Sequence, residues 1–194
     1  MDGVLFLSSD VHYQAFCDAL ADEPVEVPYY HELAGMRTDA AIRKIFADFA
    51  VDLPKDKLKR LTSLKRMYAT KKLHNFPPVA PNCWNVLNKL YQRGIILGLA
   101  SSSSSKNVRL FLESSGSKEF FSVVLSGDDV IRAKPDPEIY NMAIEKLGLV
   151  PKDCLILEDN DHGIQAVERC GANLMQIDEV SEVNYTNIIR KINL

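Results

Sequence analysis

Glu158 and Asp159 stand side by side at the end of a short apolar run, Cys154–Leu157. Two adjacent carboxylates repel each other, and they ionise together comfortably only when a cation joins them. Hard oxygen donors of this kind suit Mg²⁺, which keeps part of its water shell and shares a substrate phosphate. A second apolar run, Ile95–Ala100, leads into five serines, Ser101–Ser105, just ahead of a helical pattern. A hydroxyl and the backbone N–H groups at such a turn can hold phosphate oxygens. The other reading of that run is a flexible linker. Ser101 and Ser102 come first in it, and which serine binds stays open. Lys134, within Ala133-Lys134-Pro135-Asp136-Pro137, offers an amine that would neutralise the charge opposing attack on a phosphate. Asp2 adds a third carboxylate. One hydroxyl, one amine and three carboxylates are the parts of a Mg²⁺-assisted phosphoryl transfer.

Such residues must be brought together by a fold. Ile42, Ile45, Phe46 and Phe49 follow a helical period with Thr38 placed as the cap. Pro54 opens a second, basic helix with Leu58, Leu61, Leu64 and Tyr68 on one side, and Pro77, Pro78 and Pro81 then read as a hinge. After the hinge the pattern changes. Asn82 caps a helix carrying Trp84, Leu87, Leu90 and Tyr91, which stops at Gly94. Strand Ile95–Ala100 follows, then a helix with Val108, Phe111 and Leu112 ending at Gly116, then strand Phe121–Leu125. A helix starts at Asp136-Pro137 and stops at Gly148. Strand Cys154–Leu157, a helix capped by Asp161 and His162 and ending near Gly171, strand Asn173–Ile177 and a terminal helix complete the chain. Short apolar strands alternating with helices predict an α/β fold, a doubly wound parallel sheet covered on both faces. The helical first third predicts a small inserted cap. The expected division is a core of residues 1–9 and 82–194 and a cap with hinge segments at 10–81. In an open α/β sheet ligands bind beyond the carboxyl ends of the strands, the edge where Ser101, Lys134 and Glu158-Asp159 fall.

The chain has 194 residues, 46% hydrophobic and 25% charged, which excludes a disordered or collagen-like polymer. A net charge of −3 gives no reason to expect nucleic acid or an anionic membrane as partner. Between Lys55 and Lys72 eight basic residues face one acid, so this stretch carries +7 and the remainder −10. It is either a solvated helix face or a local field that draws in an anionic substrate. The four cysteines have neither C-x-x-C nor zinc spacing and fit a reducing compartment. No signal peptide or membrane span is legible, so a cytoplasmic monomer is expected.

"MDGVL", "LASSSSSKN", "AKPDPEIY" and "LEDNDHGIQAV", in this order, resemble the four motifs of the haloacid dehalogenase-like hydrolases. The resemblance covers nearly the whole chain. It points to the subgroup with a small helical cap, which includes phosphoglycolate phosphatase-like enzymes and β-phosphoglucomutase. It implies a Rossmann-like core and a Mg²⁺-dependent phosphatase acting on a small phosphorylated metabolite of sugar-phosphate type. By position, Asp2 matches the family's general acid/base, whose backbone carbonyl also binds Mg²⁺. Ser101 matches the phosphate-binding hydroxyl, Lys134 the lysine that steadies nucleophile and phosphate, and Glu158 and Asp159 the metal-binding pair. His12 and Arg37 resemble cap-side substrate contacts, although Arg37 could equally form an ion pair within the cap. Asp128 and Asp129 read as turn or capping residues.

The sequence departs from the family at two places: Leu7 stands where many relatives have an acidic residue near the cap hinge, and the nucleophile position is the other. The family's nucleophile is an aspartate two residues before the one matched by Asp2, a position that would precede Met1. The apolar strand presenting it, the first of the core, is then also expected upstream. The alternatives are a β-phosphoglucomutase-like mutase and a non-catalytic chain that keeps the fold.

Overall fold

A computed structural model describes residues 1–192. Three helices build the first third: α1 (Ser9–Leu20), α2 (Thr38–Asp48) and α3 (Lys55–Asn75). Helix α4 (Cys83–Gln92) opens the alternating part. It is followed by β1 (Leu97–Ala100), α5 (Ser105–Ser115), β2 (Phe121–Leu125) and α6 (Glu138–Lys146). Then come β3 (Leu155–Glu158), α7 (Asp161–Cys170), β4 (Asn173–Gln176) and α8 (Tyr185–Ile192).

Helix α2 buries Ile42, Ile45 and Phe46 against Phe16, Leu33, Leu58 and Leu61, an apolar cluster drawn from residues 16–61. Thr38 is the first residue of α2 and its side chain caps nothing, while Phe49 lies beyond the helix and is exposed. The buried stripe of α3 runs through Leu58, Leu61, Lys65, Ala69 and Leu73. Leu64 and Tyr68, expected on that side, lie at its margin and are only partly covered. On α4 the buried positions are Cys83, Val86, Leu87 and Leu90, and Trp84 and Tyr91 face outward.

Gly116 and Gly171 end α5 and α7 in the left-handed conformation, where a side chain is disfavoured. Helix α6 begins one residue after Pro137, and the Asp136 carboxylate accepts from the Glu138 N–H. The cap of α7 is Asn160, not Asp161 or His162: its Oδ1 accepts from the Gly163 N–H at 2.9 Å.

The sheet differs from the expectation. The strands pair in parallel, β1 with β2 and β3 with β4, as two separate two-stranded sheets. Between β1 and β3 lies an apolar cavity of about 810 Å³, lined by Leu97, Leu99, Leu155 and Leu157 and walled by residues of α4, α6 and α8. Leu155, Ile156 and Leu157 are therefore only half-buried, although their pattern reads as a core strand. Among the described residues no helix is long and apolar enough to cross a membrane.

Candidate active site

The loop after Met1 and the ends of β1 and β3 meet at a cleft of about 60 Å³. Asp2, Ser101, Ser102, Lys134, Glu158 and Asp159 line it from one side, and His12 and Lys65 from the helical third. Seven of the eight residues singled out from sequence thus share one cleft. Arg37 does not line it: its guanidinium pairs with Asp39 at 3.1 Å and donates to the carbonyl oxygens of Val130 and Ile131.

Asp2 gathers four side-chain partners. Ser8 and Ser101 donate to it, Ser103 donates at 2.9 Å, and His12 Nε2 lies 3.3 Å away. Burial pushes its pKa up, but the His12 hydrogen bond, the chain's amino terminus and Ser8 outweigh burial and hold it below the ordinary carboxylate value. Lys65 Nζ reaches His12 Nδ1 at 3.2 Å. A lysine donating to Nδ1 leaves the ring proton on Nε2, where it can be donated to Asp2. Burial, followed by the Lys65 charge, pushes the His12 pKa down. Burial likewise lowers Lys65 to about 8, and its ammonium lies 4.3 Å from the centroid of the Phe16 ring.

Glu158 is closed in. Lys134 and the Tyr140 hydroxyl both donate to its Oε1, and the Asn160 amide donates to Oε2 at 2.9 Å. Burial would raise its pKa, yet the Lys134 charge leads the groups that bring it down. Asp159 is its opposite. Its side-chain partner is Asn160 Nδ2 at 3.1 Å, no lysine or arginine pairs with it among the described residues, and burial raises its pKa. Gly3, at φ +71°, passes so close that a Cβ there would overlap Asp159 Oδ2. The charge of the chain's amino terminus acts on Asp159 but does not outweigh burial, and a carboxylate so placed, with no lysine or arginine partner, fits a divalent cation that completes its shell with water and phosphate. Among the described residues no three His, Cys, Asp or Glu side chains form a ready-made metal cage.

Residues 1–177 match the family described as haloacid dehalogenase-like hydrolase. The chain belongs to that family. It is 32% identical over 130 residues to pyrophosphatase PpaX of Oceanobacillus iheyensis, a match covering 66% of this chain and 61% of that protein. It is 36% identical over 96 residues to phosphoglycolate phosphatase of Salmonella typhimurium, covering 50% of this chain and 36% of that one. The chain thus spans less than two thirds of the length of these curated relatives. The crystal structure of β-phosphoglucomutase from Clostridium difficile superposes with a TM-score of 0.87 at 19% identity, covering 99% of this chain and 94% of that one. This likeness shows the fold.

Within this family fold, four side chains that line the cleft or hold its carboxylates carry little or no signal in the sequence. Ser8 and Ser103 are ordinary polar residues until the loops bring them to Asp2. Tyr140 lay inside the motif "AKPDPEIY", unassigned until its hydroxyl met Glu158. Lys65 carried a signal: it falls on the apolar stripe of α3 at i+4 from Leu61 and i−4 from Ala69.

Proposed function

We propose that this chain is the greater part of a Mg²⁺-dependent phosphatase that acts, as a cytoplasmic monomer, on a small phosphorylated metabolite through an aspartyl-phosphate intermediate. The observation that carries the reading is the meeting of Asp2, Ser101, Lys134 and Asp159, from four distant parts of the chain, around one cleft. The phosphatase and pyrophosphatase names of its relatives agree with it.

In this reading the attacking carboxylate stands two residues before Asp2, outside this sequence, on a strand that would join β1 and β3 into one doubly wound sheet. The cavity between those strands, apolar and walled by helices on both sides, supports that placement. The carboxylate attacks phosphorus, the bond from phosphorus to the leaving oxygen breaks, and Asp2 gives that oxygen its proton. Asp2 then takes a proton from water, which attacks the same phosphorus and frees phosphate and the aspartate. The proton that Asp2 takes from water in the second step is the one it gives to the leaving oxygen in the next turnover, and the His12 and Ser8 hydrogen bonds that lower its pKa favour the anion the second step needs. A phosphate dianion beside it raises its proton affinity for the first, by like-charge repulsion. Ser101 and the N–H groups after it hold phosphate oxygens, and Lys134, seated on Glu158, places positive charge beside them. Mg²⁺, held by Asp159, Glu158 and the Asp2 carbonyl, would supply Lewis-acid charge to the phosphoryl oxygens. Helices α1 to α3 act as the cap, residues 10–81 with their hinges, and exclude bulk water.

The test is p-nitrophenyl phosphate hydrolysis with and without Mg²⁺, by this chain alone and by a chain extended upstream with an apolar strand ending in Asp-Met-Asp2. Activity is expected in the extended chain with Mg²⁺ and nowhere else. Equal rates in both chains would refute the upstream nucleophile. Isomerisation of a sugar phosphate without phosphate release would replace the hydrolase with a mutase.

A further inference from the structure

Asn160 joins three things that the chemistry proposed above keeps separate. Its Nδ2 donates to Glu158 Oε2 at 2.9 Å and to Asp159 Oδ1 at 3.1 Å, so one amide spans both adjacent carboxylates. Its Oδ1 accepts from the Gly163 N–H at 2.9 Å, which pins the same amide to the first turn of α7. On its outer side lies Gly35, from the loop before α2, at φ +76°. A Cβ at position 35 would overlap Asn160 Oδ1 and lie 2.7 Å from Cγ.

A lone asparagine would swing away from such a Cβ. This one is held by three hydrogen bonds, and turning it aside breaks its bonds to Glu158, Asp159 and the α7 cap together. The contact therefore works in both directions. The helical third can settle on the core only while the amide lies flat in its hydrogen-bonded position, and the settled loop then keeps the amide there.

We propose that Asn160 is a positioning residue: it holds Glu158 and Asp159 in the arrangement that receives the divalent cation, and it is the seat on which Gly35 registers closure of the helical third. The proposal rests on the metal reading above for its first half and on packing alone for its second. Neither half requires Asn160 to touch substrate. Groups that orient the ligands of a metal commonly change its affinity about 10–100-fold when removed.

Two measurements on the full chain test it. The first is Mn²⁺ binding, read by electron paramagnetic resonance, in wild type and Asn160→Ser. Serine keeps an oxygen to cap α7 but is too short to span two carboxylates. Affinity is expected to fall about tenfold with the melting temperature unchanged. Equal affinity, or a loss that merely follows a lower melting temperature, overturns the positioning role. The second is hydrogen exchange of residues 33–37 without metal, in Gly35→Ala, Asn160→Ala and the double variant. Gly35→Ala alone is expected to speed exchange there, and removing the Asn160 amide as well to restore part of the protection. Strictly additive effects overturn the seat. If wild type binds no Mn²⁺, the metal reading and the first half fall together, and the exchange cycle still decides the second.

Discussion

Asp2 and Asp159 face the same cleft in opposite electrical states. Asp2 is partly buried, but Ser8, Ser101, Ser103 and His12 all turn toward it, and its carboxyl is held down. Asp159 has the amino-terminal charge, one amide and a neighbouring carboxylate, and burial still drives its pKa up. The difference lies in partners, not in residue type. One acid is satisfied by protein, which suits the proton exchange proposed for it; the other lacks such partners, which suits the proposed cation.

This contrast can be broken from either side. The largest expected effect is on turnover: Asp2→Asn in the extended chain should cost about 10²–10⁴ in kcat, the range for a lost general acid/base, with Mn²⁺ affinity little changed. Steady-state kinetics beside metal titration checks it.

Next comes Lys134→Met, which leaves Glu158 buried beside Tyr140 and Asn160 without its cation. Removing one partner of a buried pair costs about 3–5 kcal/mol, read by urea denaturation. The sign with pH follows from Glu158. Its pKa is lower folded than unfolded, so the pair's contribution is complete above the ordinary carboxylate value and fades as pH falls through the folded one. The gap between wild type and Lys134→Met should therefore narrow below about pH 4.

Lys65 gives a smaller change of opposite sign. Its pKa drops from 10.5 unfolded to about 8 folded, so holding the charged form inside costs stability below pH 8, and wild type should gain stability between those values. Lys65→Met removes that cost. At pH 7 it should stabilise by up to about 3 kcal/mol while slowing turnover through a mispositioned His12. Denaturation at pH 7 and pH 10 separates the two, because the stabilisation disappears at the higher pH.

The smallest effect belongs to Arg66→Gln, which breaks a half-exposed pair with Asp128 at 3.2 Å. Stability should change by less than about 1 kcal/mol, measured by thermal unfolding in low and high salt.

Much of this was legible in the sequence, for identifiable reasons. Strand ends carry their own chemistry, so Ser101 and Glu158-Asp159 could be read from the apolar runs before them, and most helices started or stopped within a residue or two of their capping or glycine signals. Asp128 was read as structural, and its carboxylate accepts from the Ser105 N–H at the start of α5. What escaped depends on approach in space. Lys65 sits in a stretch so basic that a solvated face was the natural reading, yet the packing of α1 on α3 brings His12 against it. Arg37 had the chemistry of an anion anchor, but Asp39, two residues on, and two carbonyl oxygens of a distant loop take its guanidinium. The sequence offers three adjacent polar residues, any of which could cap α7, and only the backbone direction selects Asn160. Leu155 and Leu157 read as core because their composition is core, yet among the described residues β3 pairs with β4 alone and the cavity beside it leaves both half-buried.

The central claim is that one phosphate and one divalent ion share the cleft between these two acids. A crystal structure of the chain soaked with Mg²⁺ and orthovanadate tests it. Metal density against Asp159, with the oxyanion touching Ser101 and Lys134 and lying within reach of Asp2, is the expected result. Metal or oxyanion bound elsewhere on the chain, with the cleft holding only water, would contradict it.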